Sequence, residues 1–141
     1  KFFKIYISGW EGAKELRMEL MNAKSEKDVI EVLESSKLKK VVMHCFQGNK
    51  KLIKRAADNG YFFSIPCIIN KLEHFQMLVE MVNLSQLLTE TDAPWLTPVE
   101  GIPNEPAFVK GTLKKIAEIK RLDEIEVENN IFLNFQRIFL L

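Results

Sequence analysis

Long apolar runs are missing from this 141-residue chain. No stretch approaches the roughly 20 apolar residues that a membrane-crossing helix needs. No secretory leader is visible either. Charge of one sign is scarce in the same way: 20 Lys and Arg stand against 19 Asp and Glu, a formal net charge of +1. Such a balance gives no global pull toward nucleic acid or a membrane surface, so any polyanion contact has to be local. Cysteine is limited to Cys45 and Cys67. Both lie in apolar, strand-like runs, the pattern of reduced, buried thiols in a cytoplasmic protein. Internal repeats and low-complexity segments are absent. The first residue is Lys1 rather than Met, so the natural start is expected to lie upstream.

What remains is a chain that is 47% hydrophobic, enough for one domain with a core over residues 1–141. From about residue 26 helices alternate with strands. Ser25 is placed to cap a helix carrying Val29, Ile30, Val32 and Leu33. Val41 to Cys45 reads as a short buried strand. Asn49 opens a helix through Leu52, Ile53, Ala56 and Ala57 that Asn59 and Gly60 end. Tyr61 to Ile65 is a strand stopped by Pro66, Asn70 to about Val82 a helix, and Leu87 to Thr91 a third strand. A loop with Pro94, Pro98 and Pro103 leads to a helix over Glu105 to about Lys120, and an amphipathic segment from Ile131 to Leu140 closes the chain. Phe2 to Ile7 could add a strand and Gly12 to Glu19 a helix. Strands alternating with helices imply parallel β-α units.

In such units chemistry gathers at the C-terminal ends of the strands. The third strand delivers Glu90 and Asp92 to a point where Pro94 forbids continuation. Two residues apart on a strand, they share a face. Asp92 alone could simply cap a turn, but Glu90 on an apolar strand is costly to bury without a positive partner, either a metal or an Arg or Lys. His44 ends the first strand in the same manner. Taken alone it reads as a buried, hydrogen-bonded histidine; taken with Asp92 it points to metal-assisted hydrolysis. Gly48 lets the chain turn tightly into the next helix, and Ser64 offers a hydroxyl at the second strand end. Lys50 and Lys51 stand in the first turn of their helix, where the dipole disfavours cations. They fit either a solvated face or a phosphate held at the strand ends, whereas Lys54 and Arg55 read as solvated. Trp95 could stack on a base, though burial as a loop anchor is the favoured reading. His74 reads as surface, without a partner.

Together these blocks resemble the TatD family of metal-dependent deoxyribonucleases, from about Ala23 to the C-terminus. The resemblance rests on Glu26 to Glu31, His44-Cys45-Phe46 with Gly48, Gly60 to Ile65, Glu90-Thr91-Asp92-Ala93-Pro94, Asn104-Glu105-Pro106-Ala107 and Asn134 to Phe139. It implies an α/β fold of the (β/α)8 TIM-barrel type, with only the C-terminal part of the barrel in this chain. It further implies divalent metal ions (Mg, Mn or Zn), with His44 and Asp92 as ligands and Asp92 also the base toward the attacking water. Glu90 takes an outer or phosphate-side position, with Lys50 and Lys51 on the substrate. The expected substrate is nucleic acid or another phosphoester.

Three departures qualify the resemblance. The family's His-x-His pair and midway Glu are absent, Met21 stands where a ligand histidine is expected, and Pro103 replaces a common Arg. Met is a poor ligand for the hard or borderline metals of such a site. A degenerate or truncated relative, kept as a structural or binding module without catalysis, is therefore the alternative. A true half barrel leaves strand edges open and is expected to self-associate unless a segment covers them.

Overall fold

In the computed structural model the described residues are 11–140. The expected strand over Phe2 to Ile7 lies outside them. The chain divides into two compact units, one ending at Lys39 and the other beginning at Lys40.

The first unit contains α1 (Ala13–Asn22) packed on α2 (Glu26–Ser36). Ser25 caps α2 as its sequence position suggests. Its hydroxyl accepts from the Asp28 N–H at 3.2 Å, and the Asp28 carboxylate accepts from the N–H groups of Ser25 and Lys24, both at 2.9 Å. This reciprocal arrangement satisfies donors that a helix start otherwise leaves open. The backbone bond from Lys24 is the main reason the Asp28 carboxyl sits below its ordinary pKa. Met21 lies on the last turn of α1, 68% exposed, and not at a strand end.

The second unit is a three-stranded parallel sheet, β1 (Val42–His44), β2 (Phe62–Pro66) and β3 (Leu87–Glu90), in the order β1-β2-β3. Helix α3 (Lys50–Asp58) connects β1 to β2. A tight 3₁₀ turn, Cys67–Asn70, and α4 (Glu73–Met81) connect β2 to β3. The expected helix from Asn70 therefore starts later, because Pro66 carries β2 into a turn that buries Cys67 and Ile69 first. After β3 a long loop leads through a 3₁₀ turn at Pro106–Phe108 into α5 (Val109–Lys120). The last helix, α6 (Glu124–Phe139), begins well before Ile131: the Asp123 carboxylate caps it by accepting from the Ile125 N–H at 2.9 Å.

Register puts Met43, Phe63 and Leu87 side by side, with Ile65 on the same face, and all four are buried. The alternate positions, His44, Ser64 and Glu90, face the other way. Helix α3 ends as expected: Gly60, at φ +77, passes its N–H to Ala57, and Tyr61 passes its own to Ala56. Gly48 has a different reason from the tight turn expected of it. A Cβ there would collide with the Phe46 ring and come within 3.2 Å of the Leu52 Cβ, so the need is close approach.

Side-chain amides hold the ends of elements. Gln86 donates to the carbonyls of Ala57 and Tyr61, each at 2.9 Å, tying the entry of β3 to the turn between α3 and β2. Asn134 of α6, 1% exposed, donates to the carbonyls of Leu84 at 2.8 Å and Leu87 at 2.9 Å. A buried carbonyl left unpaired costs about 1–3 kcal/mol. Asn134→Ala is thus expected to destabilise the fold by about 2 kcal/mol in urea unfolding. Asn134→Asp should cost more at neutral pH, because a carboxylate has no proton to give two carbonyls. A shift below about 0.5 kcal/mol for both, the size of an ordinary surface substitution, would remove Asn134 from this role.

Candidate metal centre

Parallel strands in register deliver their C-terminal ends to one place. His44 is paired with Ser64 across β1 and β2, and Pro66 with Glu90 across β2 and β3. The imidazole of His44 bridges two carboxylates: Nδ1 contacts Glu90 Oε2, and Nε2 lies 3.1 Å from Asp92 Oδ1. Ser64, 7% exposed, donates its hydroxyl to Glu90 Oε2 and lies 3.4 Å from His44 Nδ1. His44, Glu90 and Asp92 each offer one ligand atom, all within 4.8 Å of one another.

Burial grades across the three. The side chain of Glu90 is 11% exposed, that of Asp92 31% and that of His44 47%. Glu90, for which the resemblance implied an outer or phosphate-side position, lies against His44 and is the most shielded of the three. His44, read alone as a buried histidine, is open to solvent. Glu90 and Asp92 do meet, though not by strand alternation. The strand ends at Glu90, and Asp92 has φ +58, so a left-handed turn swings its carboxylate toward His44. Cys45, at φ +43, bends the chain just after His44 in the same way.

Electrostatics follow from this crowding. The bond to Glu90, more than the charges nearby, raises the His44 pKa above the ordinary imidazole value, against a partial burial that lowers it. Burial, then Glu90 and Asp92, pushes the Cys45 thiol up to about 11. Cys45 is half-buried, not buried as expected, and stays a thiol at neutral pH. Cys67 is buried as expected, and its Sγ donates to the Glu90 carbonyl at 3.3 Å.

The donor set fits a divalent cation. An imidazole and two carboxylates suit zinc, manganese and similar ions, with the carboxylates also suiting magnesium. The Glu90 Oε1 atom, buried without a hydrogen-bond partner, is an acceptor waiting for a positive charge. Lys50 and Lys51 lie, exposed, in the first turn of α3 as expected. Asn49 caps that helix, accepting from the N–H groups of Lys51 at 3.0 Å and Leu52 at 3.1 Å. Among the described residues, no ion pair joins either lysine to the cluster. Lys54 pairs with Asp58 at 2.7 Å on the solvated face.

Two groups support the centre from outside, one read as surface in the sequence and one given no role there. His74 is no idle surface residue: its Nε2 donates to the Phe46 carbonyl at 3.0 Å, anchoring the segment after His44. Asn104, 4% exposed, fastens the loop after Asp92. Its amide donates to the carbonyls of Thr91, Trp95 (2.6 Å) and Leu96 (3.2 Å), while its backbone N–H donates to Pro94 at 3.0 Å. The only sequence signal was the Asn-Glu-Pro-Ala block itself, which names no partner. Trp95, expected to be buried, is 75% exposed.

In the metal-free protein the His44 proton stabilises the fold below the ordinary imidazole pKa. That contribution is lost as pH rises through the raised value. An NMR titration of the His44 ring should give a pKa above the ordinary one, and Glu90→Gln should bring it down. An unchanged value in that variant would break the assignment of Glu90 as the cause.

Sequence and structure comparisons identify the family and the fold. The family described as TatD related DNase matches residues 9–140. A metal-dependent hydrolase of Methanocaldococcus jannaschii is 37% identical over 99 residues, covering 70% of this chain and 40% of that protein. A 3'-5' ssDNA/RNA exonuclease TatD of Erwinia tasmaniensis is 32% identical over 112 residues, covering 73% and 43%. The crystal structure of a TatD homologue from Escherichia coli superposes with a TM-score of 0.74 at 21% identity, over 84% of this chain and 48% of that one. The fold is thus α/β of the TIM-barrel type, and the chain spans about half the length of the relatives it matches.

Proposed function

The chain belongs to the TatD-related DNase family, and we propose that it is the C-terminal part of a metal-dependent hydrolase that cleaves phosphodiesters in nucleic acid. The observation that carries the reading is the convergence of His44, Glu90 and Asp92 on one point, with a buried Glu90 oxygen left without a partner. Relatives described as deoxyribonuclease and as ssDNA/RNA exonuclease support nucleic acid as the substrate. Two free thiols fit a cytoplasmic setting.

His44, Glu90 and Asp92 would hold the ion. When bound, it supplies Lewis-acid polarisation of a phosphoryl oxygen and eases deprotonation of a water. Two protons on the imidazole oppose binding, and one must leave before a ring nitrogen can serve as a ligand. Ser64 holds Glu90 by its hydroxyl, which keeps that carboxylate turned into the cluster. Asp92 is the carboxylate that water reaches, being more exposed than Glu90. It takes the proton from the water whose oxygen attacks phosphorus. Lys50 and Lys51, exposed in the first turn of α3, contact phosphates of the strand.

A second reading keeps the scaffold without the chemistry. It is favoured by Met21, which stands on a solvent-exposed helical turn where the family resemblance calls for a ligand histidine. The two readings part on activity. With Mn2+ or Zn2+ present, the protein should cleave a single-stranded oligonucleotide. Asp92→Ala and His44→Ala should lower the rate about a hundredfold or more. Metal binding without cleavage would favour the scaffold reading, and cleavage indifferent to both substitutions would sink the assigned site.

Self-association is expected only where these strands stand without the rest of a barrel and no segment covers their edges. Among the described residues the outer edges of β1 and β3 have no strand partner, and unpaired edges invite pairing. Beside β3 a groove of about 400 Å³ is lined by Leu88, Leu113, Ile131, Phe132 and Phe135. For the 141-residue chain on its own, sedimentation should then show a dimer or larger species; a monomer across micromolar concentrations would contradict it.

A further inference from the structure

We propose that Trp95 is a stacking platform for a nucleobase next to the scissile phosphate, an inference that rests on the nucleic-acid reading above. Among the described residues Trp95 is the most exposed large apolar side chain, at 75%. Its backbone is nevertheless held at both ends: its N–H donates to the Asp92 carbonyl at 2.8 Å, and its carbonyl accepts from the Asn104 amide at 2.6 Å. The next carbonyl, of Leu96, accepts from the same amide at 3.2 Å. Further along, Thr97 and Val99 close a small turn on each other, with Lys71 reaching the Thr97 carbonyl at 3.5 Å.

A loop tied this firmly could have turned its indole inward, yet the ring stands in solvent. The turn that starts at Asp92 and ends at Trp95 brings the two Cα atoms within about 7 Å. The backbone that carries the exposed indole is therefore held close to Asp92, the residue assigned to the attacking water. Every base has a π-face, so a platform of this kind accepts a single strand with little regard to sequence. Leu96, Val99 and Ile102, at 37%, 39% and 51% exposure, extend the apolar surface along the same loop. The ring so placed would bind unpaired nucleotides, whereas a duplex keeps its bases stacked on one another.

The test compares two labelled single strands of equal length, an oligothymidylate and an abasic analogue, by fluorescence anisotropy without divalent metal so that neither is cut. The protein should bind the oligothymidylate about tenfold more tightly than the abasic strand. Trp95→Ala should abolish that difference, and Trp95→Phe should restore most of it. Equal affinity for the two strands, or an unchanged preference in Trp95→Ala, would overturn the platform. So would a Trp95→Ala variant that keeps the preference but loses self-association, which would assign the ring to a protein interface. Cleavage is scored separately with metal added: its failure would sink the hydrolase reading and leave the anisotropy result standing.

Discussion

Two carboxylates brought to one point need a positive charge, and the rest of the site is arranged around that requirement. Glu90 is largely shielded from water and Asp92 partly so, and the imidazole of His44 lies between them. An unpaired carboxylate at the burial of Glu90 is expensive. In the metal-free protein the His44 proton meets the need, which is why its pKa rises. A divalent ion, where the proposed site holds one, would also face the Glu90 oxygen that no hydrogen bond reaches. Under the proposed function, proton and metal would compete for the same three side chains.

That geometry depends on strand register and on hydrogen bonds far from the ion. Parallel pairing sets His44 beside Ser64 and Glu90 beside Pro66. Side-chain amides then fix what the sheet leaves free. Gln86 and Asn134 secure the entry of β3, and Asn104 secures the loop that carries Asp92. In each case an amide gives its protons to carbonyls at the ends of elements, where no ladder or helix can supply a donor. The αL turn at Asp92 is held by the surrounding bonds, as left-handed residues at functional sites usually are.

Much of this was legible in the sequence, for local reasons. Helix starts at Ser25 and Asn49 and the stop at Asn59-Gly60 follow from capping chemistry within four residues, so each could be read off. The three strands and their chemical ends followed from apolar runs cut short by His44, Pro66 and the Glu90–Pro94 block. What stayed hidden was long-range. The partners of Asn104, His74 and Asn134 lie between 8 and 50 positions away in the chain, and nothing in a polar residue announces which carbonyl it will meet. Glu90 was given an outer or phosphate-side position by the family resemblance, whereas its sequence position, on an apolar strand and sharing a face with Asp92, asked for a positive partner. Trp95 was taken for a buried anchor because large aromatics in loops usually bury, whereas here it stands 75% exposed.

The most direct measurement is anomalous diffraction at the manganese or zinc edge from crystals grown with that ion. The account predicts one peak at coordination distance from His44, Glu90 and Asp92 together, with the His44–carboxylate contacts replaced by bonds to the ion. A peak elsewhere, or none while His44 still bridges the two carboxylates, would contradict it.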